Sequence, residues 1–250
     1  MLNLNCKRIK MKSQKLINQI IADLKAVANP ARKEKLKTYL PTSMEVFGVS
    51  TPDLRDLSKK LWVELKTWPP EKLIGFAKEL VATRIIENNH FAYDFLWRNK
   101  KALDLLTLAD LKILGRNMDN WGTTDSFAVM LSGRAWRKNQ ISDADVLNWL
   151  KTGNRWWRRA AVVSTVGLNL KSRGGTGDTR RTLMVCEKVV GDRDDMMVKA
   201  LSWALRELSK SDKPAVEKFM ETYKPRLAGR VVREVTSKLA TGLKSGKRKQ

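Results

Sequence analysis

The residues best suited to chemistry lie in DNWGTTDSFAVML, positions 119–131, where a tryptophan and an aspartate stand four residues apart. On a helix that begins near Asn120, Trp121 and Asp125 project side by side from one face. Asp125 then lies near the positive end of the helix, where a carboxylate is held ionised and can stabilise a cation or position a water. The alternative is that Asp119 or Asn120 caps the helix and Asp125 is a solvated acid. Trp121 would then belong to the core, and the spacing alone favours this alternative.

Two further segments combine tryptophan with basic residues. NRWWRRAAVV at 154–163 contains adjacent tryptophans and Arg159, and arginine makes fork-shaped contacts with phosphate oxygens. KALSWALREL at 199–208 contains Trp203, which its spacing assigns to neither helix face. Core packing is the alternative for each of these tryptophans, Trp156 and Trp157 included.

Positive charge is the strongest bulk property of the chain. Lysine and arginine number 49 against 26 aspartates and glutamates, which gives a net charge of +23, and the basic residues run through the whole sequence. Such an excess indicates a polyanionic partner. Nucleic acid is the leading candidate, and an anionic membrane surface is a distant second.

Composition argues against several other classes of protein. Cys6 and Cys186 are too few for a disulfide framework or a cysteine metal site, and a reducing cytoplasm fits them. His90 is the only histidine, and we expect a structural role for it, no metal site and no cofactor. No apolar run approaches the ~20 residues that cross a bilayer, and the N-terminus lacks the apolar core of a signal peptide. We therefore expect a cytoplasmic protein without a membrane partner.

The elements that must position these residues are helices. Apolar residues recur at helical spacing almost everywhere, as in Leu54, Leu57, Leu61 and Leu65. Prolines mark boundaries: NPARKE breaks at Pro30, STPDLRDL begins a helix at Pro52, and TWPPEKL separates two more. The 42% hydrophobic content suffices for one continuous core. We predict a basic tail over 1–12, one all-α domain over 13–241 and a second basic tail over 242–250.

The helices repeat. Aligning 156–165 with 196–205 superposes Arg159 on Lys199, and a looser step superposes Lys199 on Arg233. Helix pairs with a period of roughly 35 to 45 residues are typical of HEAT or armadillo solenoids, although amphipathic helices also resemble one another by chance. We predict a solenoid whose concave basic cleft is lined by these three cations and suits a duplex backbone.

Taken together, WGTTD, WWRRAA and ALSWALRE, in this order, resemble the DNA alkylation repair glycosylases of the HEAT-like repeat class, the AlkD-like family. The segment KTYLPTSMEVFGVSTPDLRDLSKKLW at 37–62 is similar to the N-terminal part of that family, with an aromatic, an irregular stretch, a Gly-Val pair and a proline-initiated helix. The resemblance runs from about residue 15 to 240. One departure is Gly122, where family members often have an acid; it is expected to loosen the start of the helix.

The resemblance implies an enzyme that releases cationic N3- or N7-alkylated purines, such as 3-methyladenine and 7-methylguanine, from double-stranded DNA as a monomer and without a base-flipping pocket. It makes Asp125 the catalytic aspartate and Trp121 and Trp203 the cleft tryptophans. Arg159 becomes the phosphate-contacting arginine and Tyr39 a cleft tyrosine. Lys199 and Arg233 are expected to bind DNA through the repeat.

Two alternatives stay open. The chain could be a noncatalytic DNA-binding relative on the same solenoid, although Asp125 and both tryptophans argue against it. It could also be a helical scaffold for an acidic protein, which salt-sensitive binding to duplex DNA would distinguish.

Overall fold

The computed structural model describes the backbone of residues 2–246 and the side chains of residues 13–246, and it is all-helical over that range. Within this range no β-strand forms, and one β-bridge pairs Glu45 with Ile85. The all-α class predicted from the sequence is confirmed. The chain divides into two compact units, Met1–Leu105 and Leu106–Gln250. The single domain predicted over 13–241 stays a prediction.

The first unit contains six helices in its described part. They are α1 (Leu2–Ala26), α2 (Pro30–Tyr39), α3 (Thr51–Leu65), α4 (Pro70–Ala82), α5 (Ile86–Arg98) and α6 (Lys100–Leu105). Helix α1 includes residues 2–12, for which the sequence predicted a tail. Prolines open α2, α3 and α4 as predicted, because a proline in the first turn has no amide hydrogen bond to lose.

An irregular segment, residues 40–50, follows Tyr39 in the first unit and is fixed by one buried carboxylate. Oε1 of Glu87 accepts hydrogen bonds from the amides of Phe47, Gly48 and Val49, at 3.0, 2.9 and 3.4 Å. Gly48 has φ +75°, and a Cβ there would lie 2.5 Å from the Lys33 amide nitrogen. Only glycine fits this turn. The irregular stretch predicted in this region is confirmed.

The second unit begins with the short helix α7 (Leu108–Leu114) and a longer composite helix. The composite helix consists of α8 (Trp121–Phe127), a π-helical turn (Ala128–Ser132) and α9 (Gly133–Arg137), which follow one another without a break. The remaining helices are α10 (Asp143–Leu150), α11 (Arg155–Asn169), α12 (Thr179–Glu187), α13 (Asp195–Leu208), α14 (Lys213–Tyr223) and α15 (Gly229–Thr241). Residues 242–246 follow α15, and residues 247–250 of the predicted C-terminal tail lie outside the described range.

Four helices of the second unit pack side by side in chain order. The composite helix packs against α11, α11 against α13, and α13 against α15, with α12 and α14 as the intervening members of the pairs. Asp125, Arg159, Lys199 and Arg233 are each the fifth residue of their helices. This arrangement is that of a helical repeat, and it matches the superposition of Arg159, Lys199 and Arg233 predicted from the sequence. The concave basic cleft stays a prediction.

Candidate functional site

The start of α8 is held by a buried cap. The Asn120 side chain accepts a hydrogen bond from the Thr123 amide at 2.9 Å, and the Thr124 hydroxyl donates to the Asn120 carbonyl at 2.7 Å. An N-cap side chain satisfies an amide that has no partner within the helix. The helix therefore begins at Trp121 as predicted, with an ordered first turn despite Gly122.

Asp125 and Arg159 form a two-point ion pair. The Arg159 Nε donates to Asp125 Oδ1 and its Nη2 to Oδ2, both at 2.8 Å, while its Nη1 donates to the Met196 carbonyl. The exposed fractions of the two side chains are 15% for Asp125 and 6% for Arg159. Asp125 is therefore not a solvated acid, and the guanidinium joins α8, α11 and α13 at one point. A two-point pair of this kind fixes the orientation of the carboxylate and also holds the opposite charges together.

The surroundings of Asp125 act on its pKa in opposite directions. Burial raises the pKa above its usual range, and the hydrogen bonds and the positive charge of Arg159 lower it. Two of the roughly four acceptor positions of a carboxylate are used by Arg159. The remaining positions and the partial exposure leave Asp125 able to accept a hydrogen bond from water or to face a cation.

The predicted DNA contacts of the second unit occupy different environments. Trp121 and Trp203 are both half-buried. Lys199 is half-buried and pairs with Asp195 one turn earlier, at 2.6 Å. Arg233 is exposed on α15. The structure thus brings Asp125 and Arg159 into direct contact and places Lys199 and Trp203 on α13, the helix that supplies the Met196 carbonyl.

Tyr39 belongs to the first unit. It is the last residue of α2, and 69% of it is exposed. His90 is exposed on α5 of the same unit. Neither residue is on a helix that carries the Asp125 and Arg159 pair, and the role predicted for Tyr39 stays a prediction.

The adjacent tryptophans of α11 have different surroundings. Trp157 packs edge-on against Phe127, with ring centroids 5.8 Å apart, and against Trp149 at 5.1 Å. Both tryptophans are half-buried; aromatic packing accounts for Trp157, and Trp156 lies nearer the start of the helix. The Asn154 side chain caps this end by accepting from the amides of both tryptophans.

The basic residues on α11 have acidic partners that were not predicted from the sequence. Arg158 pairs with Asp192, and Arg155 Nε lies 2.6 Å from Asp194 Oδ2. The signal was the acidic run GDRDDM at 191–196, immediately before α13. Much of the positive charge at the start of α11 is therefore balanced locally, so the sequence overestimated the free charge there.

Comparison with known proteins identifies the family. The model of the DNA alkylation repair enzyme family matches residues 20–239. The chain belongs to this family. A solved structure described as a predicted DNA alkylation repair enzyme from Enterococcus faecalis superposes with a TM-score of 0.68 and 22% identity, covering 86% of this chain and 97% of that chain. No curated protein matches the sequence.

The family match covers the whole candidate site. All seven predicted site residues lie within residues 20–239. As a DNA alkylation repair enzyme, the chain acts on DNA, which agrees with its net charge of +23. Among the described residues, no cluster of three or more His, Cys, Asp or Glu side chains could hold a metal ion, and no helix is long and apolar enough to cross a bilayer.

Proposed function

We propose that this DNA alkylation repair enzyme is an AlkD-like glycosylase of the HEAT-like class, which releases N3- and N7-alkylated purines from duplex DNA in base excision repair. The observation that supports this most strongly is the paired carboxylate of Asp125. It is 15% exposed, oriented by two hydrogen bonds from Arg159, and half its acceptor capacity remains open. Such a group can stabilise positive charge without rearranging.

The proposed reaction needs little besides that carboxylate. Alkylation at N3 or N7 makes the purine cationic, so the base leaves with the electron pair of the glycosidic bond and becomes neutral. No general acid is required. Positive charge develops on the sugar, a water oxygen bonds to the anomeric carbon, and the proton lost from water passes to solvent. Asp125 stabilises the sugar cation and orients the water.

Arg159 has two roles in this proposal. Three of the five guanidinium N–H groups go to Asp125 and the Met196 carbonyl, which aligns Asp125 and favours its ionised form. We propose that a remaining N–H group donates to a phosphate oxygen beside the alkylated nucleotide through the 6% of the side chain that is exposed. The phosphate contact expected from the sequence is thus compatible with the pair.

The remaining predicted residues are proposed to hold the duplex. Trp121 and Trp203 present aromatic faces that pack on deoxyribose and attract its developing charge. Lys199 and Arg233 contact phosphates along a concave basic cleft, and Tyr39 also binds DNA. Because these contacts go to the backbone, we propose that the base is not flipped into a pocket and that binding depends little on sequence.

The decisive test is base release from methylated duplex DNA. We propose that the protein acts in the cytoplasm as a monomer and without a cofactor. The purified protein is expected to release 3-methyladenine and 7-methylguanine and to leave abasic sites. Salt-sensitive binding to duplex DNA without base release would favour the noncatalytic DNA-binding relative. Absence of duplex binding, together with binding of an acidic protein, would favour the scaffold.

A further inference from the structure

A π-helical turn interrupts the composite helix just after Asp125. It spans Ala128–Ser132, and its closing hydrogen bond runs from the Gly133 amide to the Ala128 carbonyl. Turns of this kind are rare, occur as single insertions in α-helices and are frequent at functional sites. The turn begins three residues after Asp125. It therefore determines which residues beyond the turn lie on the same side of the helix as Asp125.

The extra residue of the π turn aligns Asp125 with Gly133. Eight residues of regular α-helix rotate by about 800°, which would leave Gly133 about 80° away from Asp125 around the axis. When the π turn absorbs one residue, the rotation is close to seven steps, about 700°, and the difference falls to about 20°. Both residues can then face α11.

The composite helix and α11 approach each other closely at Gly133. A Cβ on Gly133 would lie 2.7 Å from the Ser164 carbonyl oxygen, and a Cβ on Gly167 would lie 3.1 Å from the Gly133 Cα. The buried hydroxyls of Ser132 and Ser164 are 2.7 Å apart, and Ser164 also donates to the Ala160 carbonyl at 2.7 Å. Ser132 also lies 3.4 Å from the Ala128 carbonyl, so either hydroxyl can donate in the bond between the two serines.

Further contacts fix the two helices along their length. Arg137 Nη1 donates to the Gly167 carbonyl at 2.9 Å near the end of both helices. Asp125 pairs with Arg159 near the start of both, so the helices run parallel. The separation set at the glycines is thus transmitted to the ion pair two turns away.

We propose that Gly133 and Gly167, together with the π turn, are positioning residues for Asp125. Asp125 has a short side chain and cannot reach further if the helices separate. Arg159 is longer, but its guanidinium is also held by the Met196 carbonyl. The close approach of the glycines therefore sets the two-point contact that aligns the carboxylate, and this inference rests on the function proposed above.

Gly167→Ala tests the inference. Its Cβ would also lie 3.2 Å from the Val129 carbonyl oxygen, so the helices must separate by a few tenths of an ångström. We expect the single-turnover rate of 3-methyladenine release to fall about 10-fold, with the Kd for methylated duplex within about twofold of wild type, because small misplacements of a catalytic group are costly. Gly75→Ala is the control, since Gly75 is also helical and a Cβ there meets nothing within 4 Å.

The pH profile separates positioning from general damage. Arg159 lowers the pKa of Asp125, so a loosened pair raises that pKa, and the acid limb of the excision rate should move to higher pH. A Cβ on Gly133 would make shorter contacts, so Gly133→Ala should move the acid limb to a still higher pH. A folded Gly167→Ala chain with the wild-type rate and pH profile would overturn the inference and leave the proposed function intact. A slower variant with an unmoved acid limb would overturn it too, and a wild-type chain that releases no base would overturn both.

Discussion

Removing Arg159 leaves a carboxylate buried without its partner, and we expect a large, pH-dependent loss of stability. In Arg159→Ala, Asp125 loses both hydrogen bonds, and its side chain is only 15% exposed in the intact pair. Removing one member of a buried ion pair costs about 3–5 kcal/mol. Because Asp125 keeps some contact with water, we expect the lower end, about 3 kcal/mol at pH 7.

The pH dependence of this loss follows from the pKa of Asp125. Burial already raises that pKa, and deleting Arg159 removes the groups that lower it. A folded-state pKa above the unfolded value means that folding is favoured by protonation. The deficit of Arg159→Ala relative to wild type is therefore complete above the raised pKa of the variant. It diminishes as the pH falls through the pKa of the variant and levels off below the folded-state pKa of wild-type Asp125, because the unfolded state is common to both chains.

Urea unfolding from pH 7 to pH 4 measures this deficit. In thermal unfolding at pH 7, the Tm should fall by about 6–12 °C, taking about 2–4 °C per kcal/mol for a chain of this size. Lys199→Ala is the control, because Lys199 and Asp195 form a partly exposed pair one turn apart that contributes about 0.3–0.5 kcal/mol. Adding Asp125→Asn to Arg159→Ala should recover about 1 kcal/mol or more at pH 7, since no charge is then buried. A deficit below about 1 kcal/mol, or one that does not change with pH, would refute the reasoning.

Two further predictions concern the irregular segment and the DNA contacts. Gly48→Ala should destabilise the chain by about 2–4 kcal/mol in urea unfolding, because φ is +75° and the Cβ would lie 2.6 Å from the Asn29 carbonyl oxygen; a loss under about 1 kcal/mol would contradict this. Duplex affinity should fall by orders of magnitude from low to moderate salt, and Arg233→Gln should reduce the slope of log affinity against log salt by about 1. Lys213→Gln, on α14, should leave that slope unchanged, and an unchanged slope for Arg233→Gln would exclude a phosphate contact.

Helix boundaries could be predicted from the sequence where a local rule is strong. Pro52 and Pro70 both lie in first turns, because proline is tolerated there and rarely within a helix. The repeat was visible because Arg159, Lys199 and Arg233 share one position within their helices. The π turn was not predictable, because Ala128–Ser132 is as apolar as an ordinary buried helix and only packing against α11 reveals the extra residue.

The candidate site was only partly accessible from the sequence. Spacing placed Trp121 and Asp125 on one helix, and the resemblance added Arg159 from the helix α11. The contact between the guanidinium and the carboxylate joins residues that are 34 positions apart in the sequence, and it depends on how α8 and α11 pack. For the same reason, the pairing of Arg158 with Asp192 could not be derived from charge counts.

The central claim is that the Asp125 carboxylate stabilises the developing sugar cation, and single-turnover release of 3-methyladenine by Asp125→Asn tests it most directly. Asparagine keeps the shape but removes the charge, so we expect the rate constant to fall by ~10²-fold or more. The Kd for duplex DNA should be unchanged or slightly lower, because a negative charge facing phosphates is lost. Asp56→Asn, at an exposed aspartate of α3, is the control and should retain the wild-type rate. Release by Asp125→Asn at the wild-type rate would contradict the account.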